Sequence, residues 1–394
     1  MIDENVSIHI IHCMKKMIWV ILWLVVPSTI SGRTLLDYQG QESLAQDTSY
    51  YEFTFALAEN GNRMVMDLKC ELDQGRLNVW LGGAGYQVIG NYTGEGRFAY
   101  ERVVFGPLNS DEPVTVRVST SKASGQWRVL FQEVSVRGLL ASVLISGCLV
   151  LLVAVGFLVW WKRYVVSAWR WLFLGAGVWF VGVVLKFVVA NYANAPILTT
   201  IESVLGRSGY LTLGSAYIGL LTGVFEIGIT LAFAWTIRRM SESADIGLSI
   251  GLGAGLVEAV LIGFSSIGSW VMVTAGTEQS GVIIGTLVQA ATATPLLWLI
   301  SAVERVIAIL CHTSSRMLVL FSVAGRRQRY FWAGFLLMTA LDAIAGYFHL
   351  AGLINKISTW WVELLLVPFA ILSVLIIRWM RQQWRNSVLP VADP

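Results

Sequence analysis

The run LLASVLISGCLVLLVAVGFLVWW, Leu139 to Trp161, is 23 residues long and carries no charged side chain. As a helix rising 1.5 Å per residue it is long enough to cross a hydrocarbon layer of roughly 30 Å. Six further apolar runs follow it, giving seven expected spans: 139–161, 170–190, 210–237, 246–266, 296–323, 330–349 and 360–380. Basic residues mark their ends unequally. Lys162, Arg163, Arg170, Arg238, Arg239, Arg326, Arg327, Arg329, Arg378, Arg381 and Arg385 fall at one set of ends, and only Arg207 and Lys356 at the other. Eleven against two predicts, by the excess of Lys and Arg on cytoplasmic loops, a multi-pass protein of the plasma membrane with its C-terminus in the cytoplasm.

The whole composition agrees. Of 394 residues 56% are hydrophobic and 13% charged, half the charge of a typical soluble domain. That balance excludes a soluble enzyme and a disordered chain. A net charge of +3 offers no basic face for nucleic acid. The lipid bilayer is the partner the composition demands; oligomeric state is not encoded in it.

Upstream of the first run the pattern changes. Thirteen of the 25 acids lie between Asp37 and Glu133, among short alternating runs such as Met64–Leu68, Leu77–Leu81, Val114–Val118 and Trp127–Phe131. Asn60-Gly61, Gln74-Gly75, Gly82-Gly83 and Ser124-Gly125 separate them as turn signals. Period-two alternation punctuated in this way predicts a small antiparallel β-sandwich over 33–137. Residues 1–32 read as a signal peptide, with Lys15 and Lys16 before the apolar run Met17–Val26, or as an uncleaved N-terminal anchor. Either reading puts the β-domain outside the cytoplasm. The expected organisation is therefore leader 1–32, extracytoplasmic β-domain 33–137, seven-helix domain 138–385 and cytoplasmic tail 386–394. Residues 277–294 form a further apolar piece, expected as a half-buried or re-entrant helix over the outer face. Cys148 and Cys311 lie in apolar runs and read as buried small hydrophobes.

The spans also hold ionisable residues: Lys186, Glu226, Glu258, Glu304, Arg305, His312, Arg316, Asp342 and Glu363. Charges in hydrocarbon are expensive, so those that persist face one another or water. Counted from span ends, Glu226, Glu258 and Asp342 fall near the midplane, with His312 close by and Glu304 nearer the outside. Arg305 and His312, seven residues apart, share one helix face. Glu304 and Arg305 can also serve as a structural ion pair between helices. Gly251-Leu252-Gly253-Ala254-Gly255 points to close helix packing, which leaves Glu258 unexplained.

Four stretches resemble the YhfC family of intramembrane metalloproteases, distantly like the PrsW and CAAX-type membrane proteases. Gly223-Val224-Phe225-Glu226 is similar to its G-x-F-E-E segment, and Gly251 to Ala259 to its G-x-G-H-G-G-x-E-A. Glu304 to His312 is similar to E-R-x-x-A-x-x-x-H, and Leu337 to Asp342 to L-H-x-x-x-D. The resemblance implies Glu226 and Glu258 as catalytic carboxylates, and His312, Asp342 and Glu304 as metal ligands, zinc being the implied metal. The departures are specific. Ile227 stands at the second Glu, Thr230 at an Arg, Ala254 at the glycine-motif His and Met338 at the second His. One imidazole with carboxylates predicts zinc binding that is weak or absent. Three functions follow as expectations: a pseudoenzyme that binds other membrane proteins, an active peptidase (a hydrolase of membrane-protein substrates) with an altered ligand set, or an ion- or proton-coupled transporter.

Overall fold

Five strands open the described chain: β1 (Arg33–Glu42), β2 (Thr48–Phe55), β3 (Arg63–Gly83), β4 (Tyr86–Phe105) and β5 (Val114–Val134). The computed structural model describes residues 33–43, 48–58, 62–83, 86–108, 111–354 and 356–388. The expected leader 1–32, the Asn60-Gly61 turn and the end of the tail, 389–394, lie outside them.

All five strands are hydrogen-bonded into one antiparallel sheet in the order β1-β5-β3-β4, where a two-sheet sandwich was expected. β2 also pairs with β5, sharing that edge with β1: β2 meets Val114 to Ser121 and β1 meets Gly125 to Glu133. The difference has a local cause. Gln74-Gly75 and Ser124-Gly125 are not turns between strands. They fall inside β3 and β5, at register shifts in β3 and beside the positive φ of Gly75 (86°), Lys122 (46°) and Gly125 (135°). Bulges of this kind bend a strand without ending it. The long strands therefore each carry two of the expected short runs. The inward residues of both halves, among them Leu68, Cys70, Val79, Leu81, Val116 and Phe131, close one apolar cluster.

The helices are α1 (Val136–Tyr164), α2 (Trp169–Thr222), a π-helical turn (Gly223–Gly228), α3 (Ile229–Thr236), α4 (Ala244–Thr274), α5 (Ser280–Ala293), α6 (Leu297–Ala324), α7 (Gln328–Leu350) and α8 (Trp360–Val388). Six helical segments among the described residues are long and apolar enough to cross a membrane, the second being the continuous stretch Trp169–Thr236. That stretch is not straight. At Gly206 the backbone leaves helical geometry (φ 67°, ψ −171°), and the two limbs fold back on each other. Lys186 and Glu226, each twenty residues from Gly206, meet at 2.6 Å, and Tyr217 donates to Asn194 at 3.1 Å. The expected spans 170–190 and 210–237 are these limbs. The connection between them, residues 191–209, long enough for a surface helix, is mostly helix and runs on to the reversal.

Among the described residues two compact units separate. One holds the strands with residues 268–297; the other holds 145–267 and 298–388. In the first, α5 seats Ile284, Leu287, Val288 and Ala291 against Val65, Val104, Val134 and Leu139. The half-buried or re-entrant helix expected over 277–294 is thus a helix docked on the β-unit, its apolar stripe packed against the end of the sheet. Cys148, expected buried, is exposed on α1, whereas Cys70 and Cys311 are buried.

Candidate functional site

Glycines on α4 position the first carboxylate. A side chain at Gly251 would strike Thr313 of α6, and one at Gly255 would strike Ile309. Gly251, Gly255 and Glu258 stand at i, i+4 and i+7, one helical stripe. The face that lets α6 approach therefore also carries Glu258 to it. There one carboxylate bridges two residues of α6: its Oε1 lies 2.7 Å from Arg305 Nη1 and its Oε2 2.6 Å from His312 Nε2. The seven-residue spacing of Arg305 and His312 is what allows this.

Glu226 arrives differently. It sits in the π-helical turn, whose widened geometry is a frequent mark of functional positions in helices. The Thr230 hydroxyl donates to the Glu226 carbonyl at 2.7 Å. Its carboxylate accepts from Lys186 Nζ at 2.6 Å and from Arg316 Nη2 at 3.4 Å. Asp342 on α7 reaches the same place. Gly219 and Gly223 lie directly against Thr339 of α7, so that α7 packs closely on the second limb. The Thr222 hydroxyl donates to Asp342, Lys186 donates to Thr222 at 3.2 Å, and Lys186 stands 3.8 Å from Asp342. Glu304 pairs with its neighbour Arg305 at 2.6 Å.

Together these contacts form one connected chain. It runs from Glu304 through Arg305, Glu258, His312, Arg316, Glu226 and Lys186 to Asp342, beside a cavity of about 190 Å³ also lined by Trp179, Met338 and Leu366. Each side chain singled out in the sequence for catalysis or metal binding is in it. Sequence reasoning gave no role to Lys186 and Arg316, which hold it together. The available signal was their sign: two cations in apolar runs beside more carboxylates than they can neutralise.

The state of His312 follows from its neighbours. Arg316 Nη1 lies 2.7 Å from Nδ1. Guanidinium only donates, so Nδ1 must be the acceptor, and the ring proton sits on Nε2, directed at Glu258. Both ring nitrogens of His312 are thus engaged by protein. A zinc centre needs lone pairs from three or four ligands about 2 Å from one point. Among the described residues no three His, Cys, Asp or Glu side chains are placed to hold a metal ion. Asp342 and Glu304 are instead tied to Lys186 and Arg305. The residues present do not fit a zinc centre. Two of the departing positions, Ile227 and Met338, are buried in one apolar cluster with Ile307 and Leu341, and Ala254 and Thr230 are fully buried.

Fold and site define a polytopic membrane protein whose helices converge on an intramembrane ion-pair network. Comparison narrows that class. The sequence profile of the YhfC intramembrane metalloprotease family matches residues 149–366, and the chain belongs to that family. It is also 29% identical over 243 residues to the "Uncharacterized membrane protein YhfC" of Bacillus subtilis (strain 168), covering 58% of this chain and 92% of that protein. The five strands lie outside the matched family region.

Proposed function

We propose that this protein is a non-hydrolytic member of its family, a plasma-membrane protein that binds other membrane proteins through its helical unit. The observation that carries the reading is His312 held between Arg316 and Glu258, which uses up the imidazole a metal would need. The packing of Ile227 and Met338 into one apolar cluster supports it: neither position retains a group able to ligate a zinc ion or to move a proton. The β-unit belongs outside the cytoplasm. The basic residues at span ends support this, as does α5, which joins α4 to α6 and rests on the β-unit.

A second reading keeps the peptidase. Glu226 and Glu258 both approach His312, at 3.8 Å and 2.6 Å. If Arg316 withdrew, that trio could receive a metal. Metal analysis of the full chain in lipid nanodiscs, with a transmembrane reporter peptide, separates the two. Substoichiometric zinc that is indifferent to His312→Ala, with the peptide intact, is the expected result. Stoichiometric zinc lost in His312→Ala, together with cleaved peptide, overturns it.

A further inference from the structure

One edge of the β-unit is a long strand folded in half. Among the described residues β4 is hydrogen-bonded to β3 on one side, and no strand lies on its other side. Tyr92 and Tyr100 would stand about 26 Å apart on a straight strand, yet their rings meet at 5.0 Å. The fold falls at Gly96, whose φ of 70° favours glycine. Gly94, just before it, lies against the Phe98 ring just after it. An edge of this kind leaves a row of backbone donors and acceptors open to another strand.

Read outward from Gly96, β4 is complementary to itself. An antiparallel copy centred there sets Glu95 opposite Arg97 at two equivalent contacts, Thr93 opposite Ala99 and Tyr92 opposite Tyr100. Residues 91, 93, 95, 97, 99 and 101 are exposed, and 92, 94, 98 and 100 are half-buried, so like faces meet like. Within the chain Glu95 meets Arg76 of β3 at 2.6 Å, both well exposed, and Arg97 stands across from Glu71. The copy extends these into one row of alternating sign across four strands: Arg76, Glu95, then Arg97 and Glu71 of the second chain. Opposite charges on facing strands attract, and like charges repel. Other registers fail. Slipping by one residue sets exposed positions against half-buried ones; slipping by two sets Glu95 against Glu95 or Arg97 against Arg97.

We infer that the β4 edge pairs with the same edge of a second copy of this chain, about a two-fold axis through Gly96. An axis running between the two limbs of the folded strand exchanges them. The second strand therefore stacks on the first with its bend in the same place, as an isologous contact requires. Pairing from Asn91 to Glu101 stays clear of Val104, where α5 packs. A second copy fits better than a foreign strand because the charge order and the bend are both symmetric about one residue. The inference does not depend on whether the helical unit hydrolyses anything.

The test is sedimentation of the full chain in detergent, with energy transfer between differently labelled copies. The unaltered chain should be a dimer at micromolar concentration. A monomer there overturns the inference, whether or not any variant folds, and leaves the edge to a strand of another protein. Glu95→Arg and Arg97→Glu each bring like charges together at both contacts, and each should weaken its own dimer about tenfold. Each also disturbs a pair within its own chain, so the deciding measurement is their mixture. A Glu95→Arg chain beside an Arg97→Glu chain regains both attractions, and this mixed dimer should be as tight as the parent. Dimers unchanged in either single variant overturn the inference by placing the contact elsewhere, and so does a mixture that binds no better than its components.

Discussion

Two ion pairs of equal length sit in the two units. Arg128 Nη2 meets Asp37 on the β-unit at 2.6 Å, and Lys186 Nζ meets Glu226 among the helices at 2.6 Å. Distance says they are alike; surroundings say they are not. Arg128 and Asp37 are about half exposed, and two further β-unit pairs, Arg76–Glu95 and Arg117–Glu52, are similarly open, whereas Glu133, paired with Arg33, is buried. Water competes for the open pairs and they contribute little. Glu226 and Arg316 are almost wholly enclosed. There no water takes over when a partner is removed, so breaking a pair strands a charge. The same chemistry decorates one unit and organises the other.

The sharpest way to break this comparison is Arg316→Met. It removes a fully buried cation facing both Glu226 and His312, and should cost about 3–5 kcal/mol. Thermal unfolding in detergent reads this out, and adding Glu226→Gln should restore part of the loss. A single variant as stable as the parent would put the enclosed pairs in the same class as the exposed ones. Gly251→Leu comes next. Its side chain would press on the α6 backbone at Thr313, and overpacking of this kind costs about 1–3 kcal/mol. The energy-transfer distance between labels on α4 and α6 should lengthen as the variant destabilises.

Glu42→Ala tests whether enclosure also matters inside the β-unit. Glu42 is buried and accepts from Ser49 (2.7 Å), Tyr51 (3.1 Å) and the Trp127 indole (3.1 Å). Stranding these donors should cost about 1–3 kcal/mol, measured by denaturant unfolding of the full chain. Asp37→Asn should have the smallest effect. Arg128 holds the Asp37 carboxyl below its ordinary range, chiefly through its hydrogen bond. The depressed value makes the stabilisation present above the unfolded carboxyl pKa of about 3.9 and lost as pH falls through the folded one. Parent and variant should therefore differ slightly at neutral pH and converge in acid. A gap that widens in acid would contradict the pairing.

Much of the helical architecture was legible because bilayer crossing demands long apolar runs, and the run from Leu139 to Trp161 leaves no other reading. The site was legible for a related reason: Glu226, Glu258, His312 and Asp342 stand out against an apolar background, and helical spacing places Arg305 and His312 on one face. What sequence could not supply was pairing. Nothing in the spacing of Glu258 tells that it bridges Arg305 and His312, because that depends on how α4 and α6 meet across their glycines. The β-unit misled for a local reason. Gln74-Gly75 has the composition of a turn, and whether such a pair reverses a strand or merely bends it is decided by the neighbouring strand that continues past it.

The reversal at Gly206 ties two sequence-distant stretches to a common ruler. Lys186 and Glu226 meet only because equal numbers of residues lead away from that glycine. One residue inserted in a single limb would advance its partner by 1.5 Å and swing it about 100° around the helix. Length changes in the two limbs are thus expected to accumulate as matched pairs, one per limb, when relatives diverge, while the connection at the hinge itself is free to vary.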